Sequence, residues 1–248
     1  MTAPDDVTAM LAVNDVSISY GKKQVVKALD LNVSQGETFG LIGLNGVGKT
    51  TLIKAILGLR DHDTGDILID GRDRRHPDSK VRVAYLPERF EPSWFLSGLE
   101  FLLFSISLYG VKHDTNKIFA VSERLALDPA VLKNRVQTYS KGMRQKLGIL
   151  ATLLTDCPLL ILDEPMSGLD PRARIMVKDL LVEARAEGRT VFLSSHILAD
   201  MNEICDRVGV LNDGRLVFTG TAPELQKKGD NDNMERAFLH IIDNPCVL

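Results

Sequence analysis

Hydrophobic and polar positions alternate along the first part of the chain. Residues 11–20 (LAVNDVSISY) and 25–33 (VVKALDLNV) show a partial period of two, with GKKQ between them. This period is typical of strands that bury one face, so the pattern predicts antiparallel strands near the N-terminus. The apolar-rich run TFGLI at 38–42 lies between two glycines and favours a buried strand. A glycine-rich loop follows, and then TLIKAILGL, which has helical character.

The rest of the chain alternates between strand and helix patterns. Short apolar runs predict further strands at 66–70, 81–86, 159–163 and 190–195. Helical patterns occupy about 140–155, 171–187, 196–207 and 234–242, and a hairpin signal with Asp-Gly in its turn occupies 208–220. The segment 227–233 (KKGDNDN) is predicted to be a linker. Alternating strands and helices indicate an α/β fold whose mostly parallel sheet is covered on both faces.

The segment from about 88 to 136 differs in character from its surroundings. Aromatic residues gather there and long helical patterns follow, so we predict an inserted helical lobe. The aromatic side chains have two interpretations: most pack the core of the lobe, and one or two, Trp94 and Phe95 among them, form a surface for a partner.

Composition and charge restrict the possible functions. The chain has 248 residues, of which 44% are hydrophobic and 25% charged, as in an ordinary globular protein. A net charge of −3 argues against a general nucleic-acid footprint, so no nucleic-acid partner is expected. The longest uncharged apolar-rich run, FLLFSISLYGV, is shorter than the about 20 residues that cross a bilayer.

The N-terminal sequence and the cysteines both favour a cytosolic protein. The N-terminal sequence MTAPDDVTAM has neither the basic start nor the apolar core of a signal peptide. Cys157, Cys205 and Cys246 are far apart and lack metal-ligand spacing. They are therefore predicted to be reduced thiols in a cytosolic protein.

The glycine-rich loop fits G-x-x-x-x-G-K-[ST] at every fixed position from Gly43 to Thr50. Glycines let successive backbone N–H groups converge on phosphate oxygens, and the following helix adds its positive end. Lys49 is expected to reach the β- and γ-phosphates, and the Thr50 hydroxyl to ligate Mg²⁺. The predicted nucleotide-binding residues of the loop are Gly43, Leu44, Asn45, Gly46, Val47, Gly48, Lys49, Thr50 and Thr51. The alternative is a strand-to-helix turn without a ligand; the strand before and the helix after favour nucleotide binding.

A pair of carboxylates follows the apolar run LLILDEP at 159–165. Ligands gather at the carboxyl ends of strands in a parallel sheet. Asp163 is then expected to hold Mg²⁺, and Glu164 to orient and polarise the attacking water. The alternative is an acidic pair that caps a helix after a buried strand.

Further motifs occur in a fixed order with these two. YLPE occupies 85–88, YSKGMRQ 139–145 and SGLD 167–170, and SSH ends at His196. With Tyr20 upstream, this set resembles the ATP-binding subunit of ABC transporters over roughly residues 8–225. The resemblance implies a P-loop NTPase fold with an N-terminal antiparallel β subdomain and an inserted helical subdomain. Residues 226–248 are left as a short C-terminal linker and helix.

The resemblance assigns roles to single residues. Tyr20 corresponds to the aromatic residue that stacks on adenine, although it is also compatible with a plain strand-end tyrosine. Ser140 and Gly142 correspond to the signature segment, which caps the γ-phosphate of the nucleotide held by the opposite subunit. Asp170 corresponds to the aspartate that signals across the dimer, and it also suits a helix N-cap. His196 corresponds to the switch histidine that contacts the γ-phosphate; a structural histidine is the alternative.

The function implied by the resemblance is Mg-dependent ATP hydrolysis that powers transport through separate transmembrane permease subunits. Glu164, His196 and Lys49 are the predicted catalytic residues. ATP lies between two copies of the chain, so a homodimer is expected in the ATP-bound state, held at the cytoplasmic face of the membrane by the permease. The alternatives are a soluble ABC-family ATPase, a nucleotide-gated regulatory module and, last, a P-loop kinase.

Two positions depart from the usual family motifs. The frequent signature LSGGQ is YSKGM here, with Lys141 in place of a glycine and Met143 in place of the glutamine. We hypothesise that Lys141 adds attraction for the trans γ-phosphate. Glu88 stands where many members have glutamine; a carboxylate can ligate Mg²⁺ but cannot donate a hydrogen bond as an amide does. Both departures resemble the branch that serves ABC-2-type permeases, many of which are exporters.

Overall fold

The computed structural model describes residues 9–244, and ten strands are found within that range. They are β1 (Ala9–Tyr20), β2 (Lys23–Ser34), β3 (Thr38–Ile42), β4 (Thr64–Ile69), β5 (Arg72–Asp73), β6 (Val83–Leu86), β7 (Leu159–Asp163), β8 (Thr190–Ser195), β9 (Arg207–Asn212) and β10 (Arg215–Gly220). Of the cysteines, Cys157 and Cys205 are unpaired thiols, and Cys246 lies outside the described residues.

Helices connect most of these strands. They are α1 (Lys49–Ile56), α2 (Pro77–Lys80), α3 (Gly98–Ser107), α4 (Thr115–Arg124), α5 (Pro129–Leu132), α6 (Lys141–Leu153), α7 (Pro171–Ala186), α8 (Leu198–Ile204), α9 (Ala222–Lys228) and α10 (Met234–Asp243). A 3-10 turn at Val136–Thr138 precedes α6. Within residues 9–244, no helix combines the length and apolar character that a membrane span requires.

Four strands form an antiparallel sheet in the order β2-β1-β4-β5. The predicted N-terminal pair is confirmed, because β1 pairs antiparallel with β2 and Tyr20 lies opposite Lys23 at the hairpin end. The strand predicted at 66–70 is β4, and it joins this sheet by pairing with β1. The N-terminal antiparallel subdomain is therefore completed by a strand from beyond the glycine loop.

The other six strands form a mostly parallel sheet in the order β10-β9-β3-β8-β7-β6. Only β10, which returns from the Asp-Gly turn, runs antiparallel to its neighbour β9. The strands β3, β7 and β8 are buried at every position. Since they run parallel, Ile42, Asp163 and Ser195 lie at one edge of the sheet, with Ile42 opposite Ser195 and Asp163 opposite Ser194.

The two faces of this sheet belong to different hydrophobic cores. Leu160 and Leu162 pack with α6, α7 and the helical lobe, whereas Leu159 and Ile161 pack with α1 and the antiparallel sheet. One face is thus covered by helices, as predicted, and the other by α1 together with a second sheet. The alternation of strand side chains between faces explains how one apolar run serves both cores.

The helical lobe contains α3, α4 and α5. Their starts carry side-chain caps, and α3 has a full capping box formed by Ser97 and Glu100. Buried lobe residues such as Leu102 and Ile118 belong to the same hydrophobic cluster as Leu160. The lobe therefore packs directly on the core of the parallel sheet.

The C-terminal segment packs on the sheet domain. The predicted final helix corresponds to α10, whose Phe238 and Ile241 are buried against the main core. The segment predicted as a linker, 227–233, begins inside α9, a helix that the sequence pattern did not indicate. Asn212 of β9 donates a 3.0 Å hydrogen bond to the Ile242 carbonyl. The amphipathic pattern of α10 thus supplies an apolar face that covers part of the core.

Candidate functional site

The glycine loop joins β3 to α1 in a conformation that depends on glycine. Gly46 and Gly48 have φ angles of 83° and 116°, in the left-handed region that side chains disfavour. A Cβ atom at Gly43 would lie 2.6 Å from the Leu211 carbonyl oxygen. Among residues 9–244, no side chain caps the N-terminus of α1. The N–H groups of its first turn are thus suited to an anion.

A polar cavity of about 420 Å³ lies beside this loop. Its lining combines loop residues with side chains from four other segments. The lining residues are Val25, Asn45, Gly46, Gly48, Lys49, Thr50, Thr51, Glu88, Glu164, Ser167 and His196. The cavity therefore contains all three predicted catalytic residues and two of the three predicted metal ligands.

Lys49 lies at the base of the cavity and is only 7% exposed. Its ammonium group donates hydrogen bonds to the Gly43 carbonyl at 2.7 Å and to the Leu44 carbonyl at 3.3 Å. The Glu164 Oε1 atom lies 3.6 Å from Lys49 Nζ. A buried cation with a carboxylate on one side and the loop on the other is positioned to bind phosphate oxygens.

Asp163 is fully buried at the end of β7. One of its carboxylate oxygens accepts a 2.9 Å hydrogen bond from the Thr50 hydroxyl, and the other accepts a hydrogen bond from the Ser194 hydroxyl. Two of the three predicted metal ligands, Thr50 and Asp163, are thus in contact. This contact links α1 to β7 through a hydroxyl and a carboxylate. Both groups have oxygen atoms that can ligate a metal ion.

Negative charge accumulates at this end of the sheet. Burial first, and then the carboxylates of Asp163 and Glu88, raise the pKa of Tyr85 to about 12. Tyr85 therefore experiences both carboxylates, although Glu88 comes from the loop that leads into the helical lobe. The arrangement is electrostatically suited to a divalent cation.

Glu164 adopts an unusual backbone conformation, with a φ angle of 51°. Its backbone N–H donates to both the carbonyl (3.2 Å) and the hydroxyl (3.1 Å) of Ser194. The side chain is nearly buried, and its Oε2 atom lies 2.9 Å from His196 Nδ1. A strained residue held by several partners is typical of functional sites. Glu164 therefore lies between a buried lysine and a half-exposed histidine.

Other predicted site residues do not line the cavity. Gly43, Leu44 and Val47 shape the loop, but their side chains or Cβ positions face elsewhere; Leu44 is exposed. Tyr20 lies at the end of β1 and is 49% exposed, with the Arg60 guanidinium carbon 3.6 Å from its ring centroid. Its hairpin partner strand β2 contributes Val25 to the cavity.

The signature residues and Asp170 also lie outside this cavity. Ser140 caps α6 by accepting a 3.2 Å hydrogen bond from the Met143 N–H, and a Cβ at Gly142 would meet no atom closer than 3.8 Å. Asp170 caps α7 by accepting a 2.9 Å hydrogen bond from the Ala173 N–H, which is the main cause of its lowered pKa. The predicted N-cap role of Asp170 is thus confirmed, while its role across a dimer stays a prediction.

Three residues that support the candidate site were not predicted as site residues from the sequence. Residues 163–165 are the acidic pair and the proline that end LLILDEP, and we call them the DEP segment. Ser194 contacts both acidic residues of this segment, yet in sequence it is only one of two serines ending an apolar strand. Gln145 is buried and donates a 2.9 Å hydrogen bond to the Pro165 carbonyl, which fixes the start of the following loop. Arg60 contacts Tyr20 across 40 positions of sequence, and no local motif predicts such a contact.

Lys141, the unusual signature residue, packs against the SGLD loop of its own chain. A Cβ at Gly168 would lie 3.0 Å from Lys141 Cε and 3.3 Å from Nζ. Gly168 has a φ angle of 74° and presents no side chain, so it admits the lysine methylene groups. The lysine therefore connects the two motifs that flank the DEP segment.

The comparisons with known proteins give one consistent result. The chain matches the ABC transporter family model over residues 26–167. It is 40% identical over 207 residues to the uncharacterized ABC transporter ATP-binding protein sll0415 of Synechocystis, covering 82% of this chain but only 58% of the relative. It is 37% identical over 227 residues to the fluoroquinolones export ATP-binding protein of Mycobacterium tuberculosis, covering 88% of this chain and 73% of the relative.

A solved structure supports the same relationship. The ATP binding subunit of an ABC transporter superposes with a TM-score of 0.87 and 31% sequence identity, covering 94% of this chain and 99% of that one. The family model covers more than half of the chain, and the superposition covers nearly all of it. The chain therefore belongs to the ATP-binding proteins of the ABC transporter family.

Proposed function

We propose that this chain hydrolyses Mg-ATP and that hydrolysis powers export through separate transmembrane permease subunits. One observation carries the proposal: Glu164 lies between Lys49 and His196, 3.6 Å and 2.9 Å away, beside a glycine loop that is open to an anion. The family relationship supports ATP as the ligand. The soluble-enzyme alternative has no observation of its own in this chain.

Phosphate binding is the role we propose for the loop and its lysine. Backbone N–H groups at the start of α1 would hold phosphate oxygens, and Lys49 would exchange its bonds to the Gly43 and Leu44 carbonyls for bonds to the β- and γ-phosphates. This exchange is favourable because a charged acceptor forms a stronger hydrogen bond than a carbonyl does. Binding thus uses groups that are already aligned.

Side chains with oxygen atoms would bind the metal ion. Thr50, Asp163 and Glu88 would hold Mg²⁺, which prefers carboxylate and hydroxyl oxygens. The Asp163 contact with Thr50 and the shared effect of Asp163 and Glu88 on Tyr85 fit a small hard cation. When bound, the ion would neutralise charge on the β- and γ-phosphate oxygens.

Glu164 and His196 are proposed to act together on the attacking water and the γ-phosphate. The Glu164 carboxylate would accept a hydrogen bond from the attacking water and orient it toward the γ-phosphate. His196, which contacts the other carboxylate oxygen, would hold that side chain in place and contact the γ-phosphate. On the opposite side, Lys49 Nζ lies 3.6 Å from Glu164 Oε1 and would help to hold the carboxylate in place.

A second copy of the chain completes the proposed site. Ser140 and Gly142 start a 13-residue helix, yet they do not line the cavity that contains Lys49. Their helix N-terminus would cap the γ-phosphate held by the partner, and Asp170 would contact the partner's site. Lys141 lies at the same helix end, so Lys141→Gly is expected to lower the ATP affinity of the closed dimer.

The helical lobe carries the proposed permease contact. Phe90 packs edge-on against Phe101 at 5.6 Å between ring centroids, which matches an internal packing role. Trp94 and Phe95 are 59% and 82% exposed. Exposed aromatic residues make effective anchors in interfaces. A permease would hold the chain at the cytoplasmic face of the membrane.

Export as the direction is supported by two features. One relative is named for fluoroquinolone export, and the variants YSKGM and Glu88 resemble the ABC-2-type branch. Both features indicate which kind of permease the chain would serve, and neither changes the proposed hydrolytic chemistry. The chain itself contributes the ATPase cycle.

Phosphate release by the purified protein in Mg-ATP tests this function. We expect turnover that Lys49→Ala and EDTA both abolish, whereas Lys27→Ala, which removes a surface lysine paired with Asp213, leaves it unchanged. ATP binding without turnover would instead favour the regulatory-module alternative. A Lys49→Ala protein as active as the parent would contradict the proposed site altogether.

A further inference from the structure

The Arg60 guanidinium lies over the ring of Tyr20, the proposed adenine-stacking residue. Its guanidinium carbon lies 3.6 Å from the ring centroid, and its Nη2 atom donates a 2.5 Å hydrogen bond to the Ser19 carbonyl. The guanidinium therefore binds both the aromatic ring and the backbone immediately before it. Tyr20 is held from one side by a residue that follows α1, far from its own strand.

A second arginine supports this arrangement from beneath. Arg74 is almost completely buried at 2% exposure. It donates hydrogen bonds to the Arg60 carbonyl and to Asp61 Oδ1, each at 3.3 Å, and its Nη2 atom lies 3.2 Å from His62 Nδ1. One buried cation thus orders three successive residues. Arg60 is held in place through its own carbonyl oxygen.

The hairpin that carries Tyr20 borders the glycine loop. Tyr20 is paired with Lys23, and Val25, two residues further along β2, lines the cavity. A Cβ at Gly48 would lie 3.0 Å from the Val25 carbonyl, so the hairpin and the loop are in contact. A base attached to a triphosphate in that loop would lie toward the Tyr20 end of the hairpin.

We propose that Arg60 is a positioning residue for the nucleotide base, which holds the Tyr20 ring so that its opposite face stacks on adenine. The inference rests on the proposed ATP-binding function. A ring already held by a cation loses less rotamer entropy when the base binds. The guanidinium also interacts favourably with the ring quadrupole. Arg74 contributes indirectly, by fixing the backbone from which Arg60 extends.

The experiment compares ATP with inorganic tripolyphosphate, which has the phosphates but no base. Arg60→Ala and Tyr20→Ala are measured singly and together, with Arg75→Ala as the control, since Arg75 is an exposed neighbour that contacts Asp61 only weakly, at 3.5 Å. Arg60→Lys restores a positive charge and tests rescue. Dissociation constants, KM, kcat and unfolding midpoints are recorded for each protein.

The expected pattern is specific to a positioning role. Tyr20→Ala should weaken ATP binding at least about fivefold, the lower end for loss of a base stack. Arg60→Ala should weaken it about two- to fivefold and raise KM without changing kcat. Arg60→Lys should recover part of the loss, and tripolyphosphate binding should be the same in every variant. In the Tyr20→Ala background, removing Arg60 should have no further effect.

Other outcomes would overturn the proposal in distinguishable ways. If Tyr20→Ala weakens ATP binding but Arg60→Ala does not, Arg60 has no positioning role and only this inference fails. Tighter ATP binding by Arg60→Ala would mean that the guanidinium occupies the face that the base uses. Equal losses for ATP and tripolyphosphate would assign Arg60 to the phosphates. If Tyr20→Ala binds ATP normally, the proposed stacking itself is wrong. Should Arg60→Ala not fold, the Arg60→Lys comparison decides by the same criteria.

Discussion

The Thr50 hydroxyl donates a 2.9 Å hydrogen bond to Asp163, although 113 positions separate the two residues. Thr50 belongs to α1, which follows β3, and Asp163 ends β7; β8 lies between these strands in the sheet. Ser194 of β8 donates to the other Asp163 oxygen. One buried carboxylate therefore connects the ends of three elements, and it does so at the proposed metal site.

Thr50→Val should lower both stability and activity. The change removes the hydroxyl and leaves a fully buried carboxylate oxygen without that donor, at a cost of about 1–3 kcal/mol in the free energy of unfolding. It also removes a proposed Mg²⁺ ligand, so phosphate release should be lost. Chemical denaturation and an ATPase assay measure the two effects. Thr219→Val, at an exposed position of β10, is the control, and equal stability of the two variants would contradict this account.

Glu164→Gln should separate binding from hydrolysis. Glutamine keeps the size of the side chain but cannot take up a proton from water, so turnover should fall at least about a hundredfold. With Mg-ATP the variant should accumulate as a dimer on gel filtration, because closure proceeds and hydrolysis no longer reverses it. Glu187→Gln, at the exposed C-terminal end of α7, should behave as the parent. A variant that stays monomeric in Mg-ATP would exclude the proposed sandwich.

Gly43→Ala should lower both stability and ATP binding, whereas Gly142→Ala should lower only the ATPase activity. A Cβ at Gly43 meets the Leu211 carbonyl at 2.6 Å, so alanine should cost about 1–3 kcal/mol in the free energy of unfolding and abolish ATP binding. A Cβ at Gly142 would make only ordinary van der Waals contact, with its nearest atom 3.8 Å away, and alanine favours the helix by up to about 1 kcal/mol. Gly142→Ala should nevertheless reduce ATPase activity. Thermal unfolding and phosphate release distinguish them; full activity of Gly142→Ala would count against the trans contact.

His62 should make the protein less stable as the pH falls below about 6.5. Burial first, then Arg74 and Arg75, lower the pKa of His62, while Asp61 and Asp66 oppose this weakly. Since the folded state binds the proton less readily than the unfolded state, the stabilisation is present above the ordinary histidine pKa and is lost as the pH falls through the folded-state pKa.

Unfolding measured in urea between pH 8 and pH 5 tests this dependence. His62→Gln removes the titrating group and retains a donor and an acceptor, so its stability should change less over that interval. His76 is exposed and provides the matched control, His76→Gln. A wild-type slope that His62→Gln leaves unchanged would assign the dependence to other groups.

Trp94→Ala should uncouple the chain from its permease. The side chain is 59% exposed, so its removal should leave the unfolding midpoint and the basal ATPase rate unchanged. Stimulation of the ATPase by the co-purified permease should fall. Leu239→Ala, at an exposed position of α10, should keep full stimulation. Normal stimulation in Trp94→Ala would show that the indole is not part of the docking surface.

Local sequence patterns predicted three core strands to the residue. The strands 38–42, 159–163 and 190–195 are short apolar runs between clear breaks, and β3, β7 and β8 have these bounds. The helix that begins at Pro171 was predicted from Asp170 and Gly188 at its ends. By contrast, β5, α2 and α9 are short and polar, and they depend on neighbours that a local pattern does not reveal.

The sequence by itself determined which groups are present and how each glycine, lysine and carboxylate is placed within its own segment, because backbone preference and motif spacing are local properties. Only the tertiary structure decided that Thr50, Asp163 and Ser194 meet, and that Arg60 lies on Tyr20. These contacts depend on the order and register of parallel strands. That order follows from how two separate hydrophobic cores are buried together, and no single segment of the chain contains it.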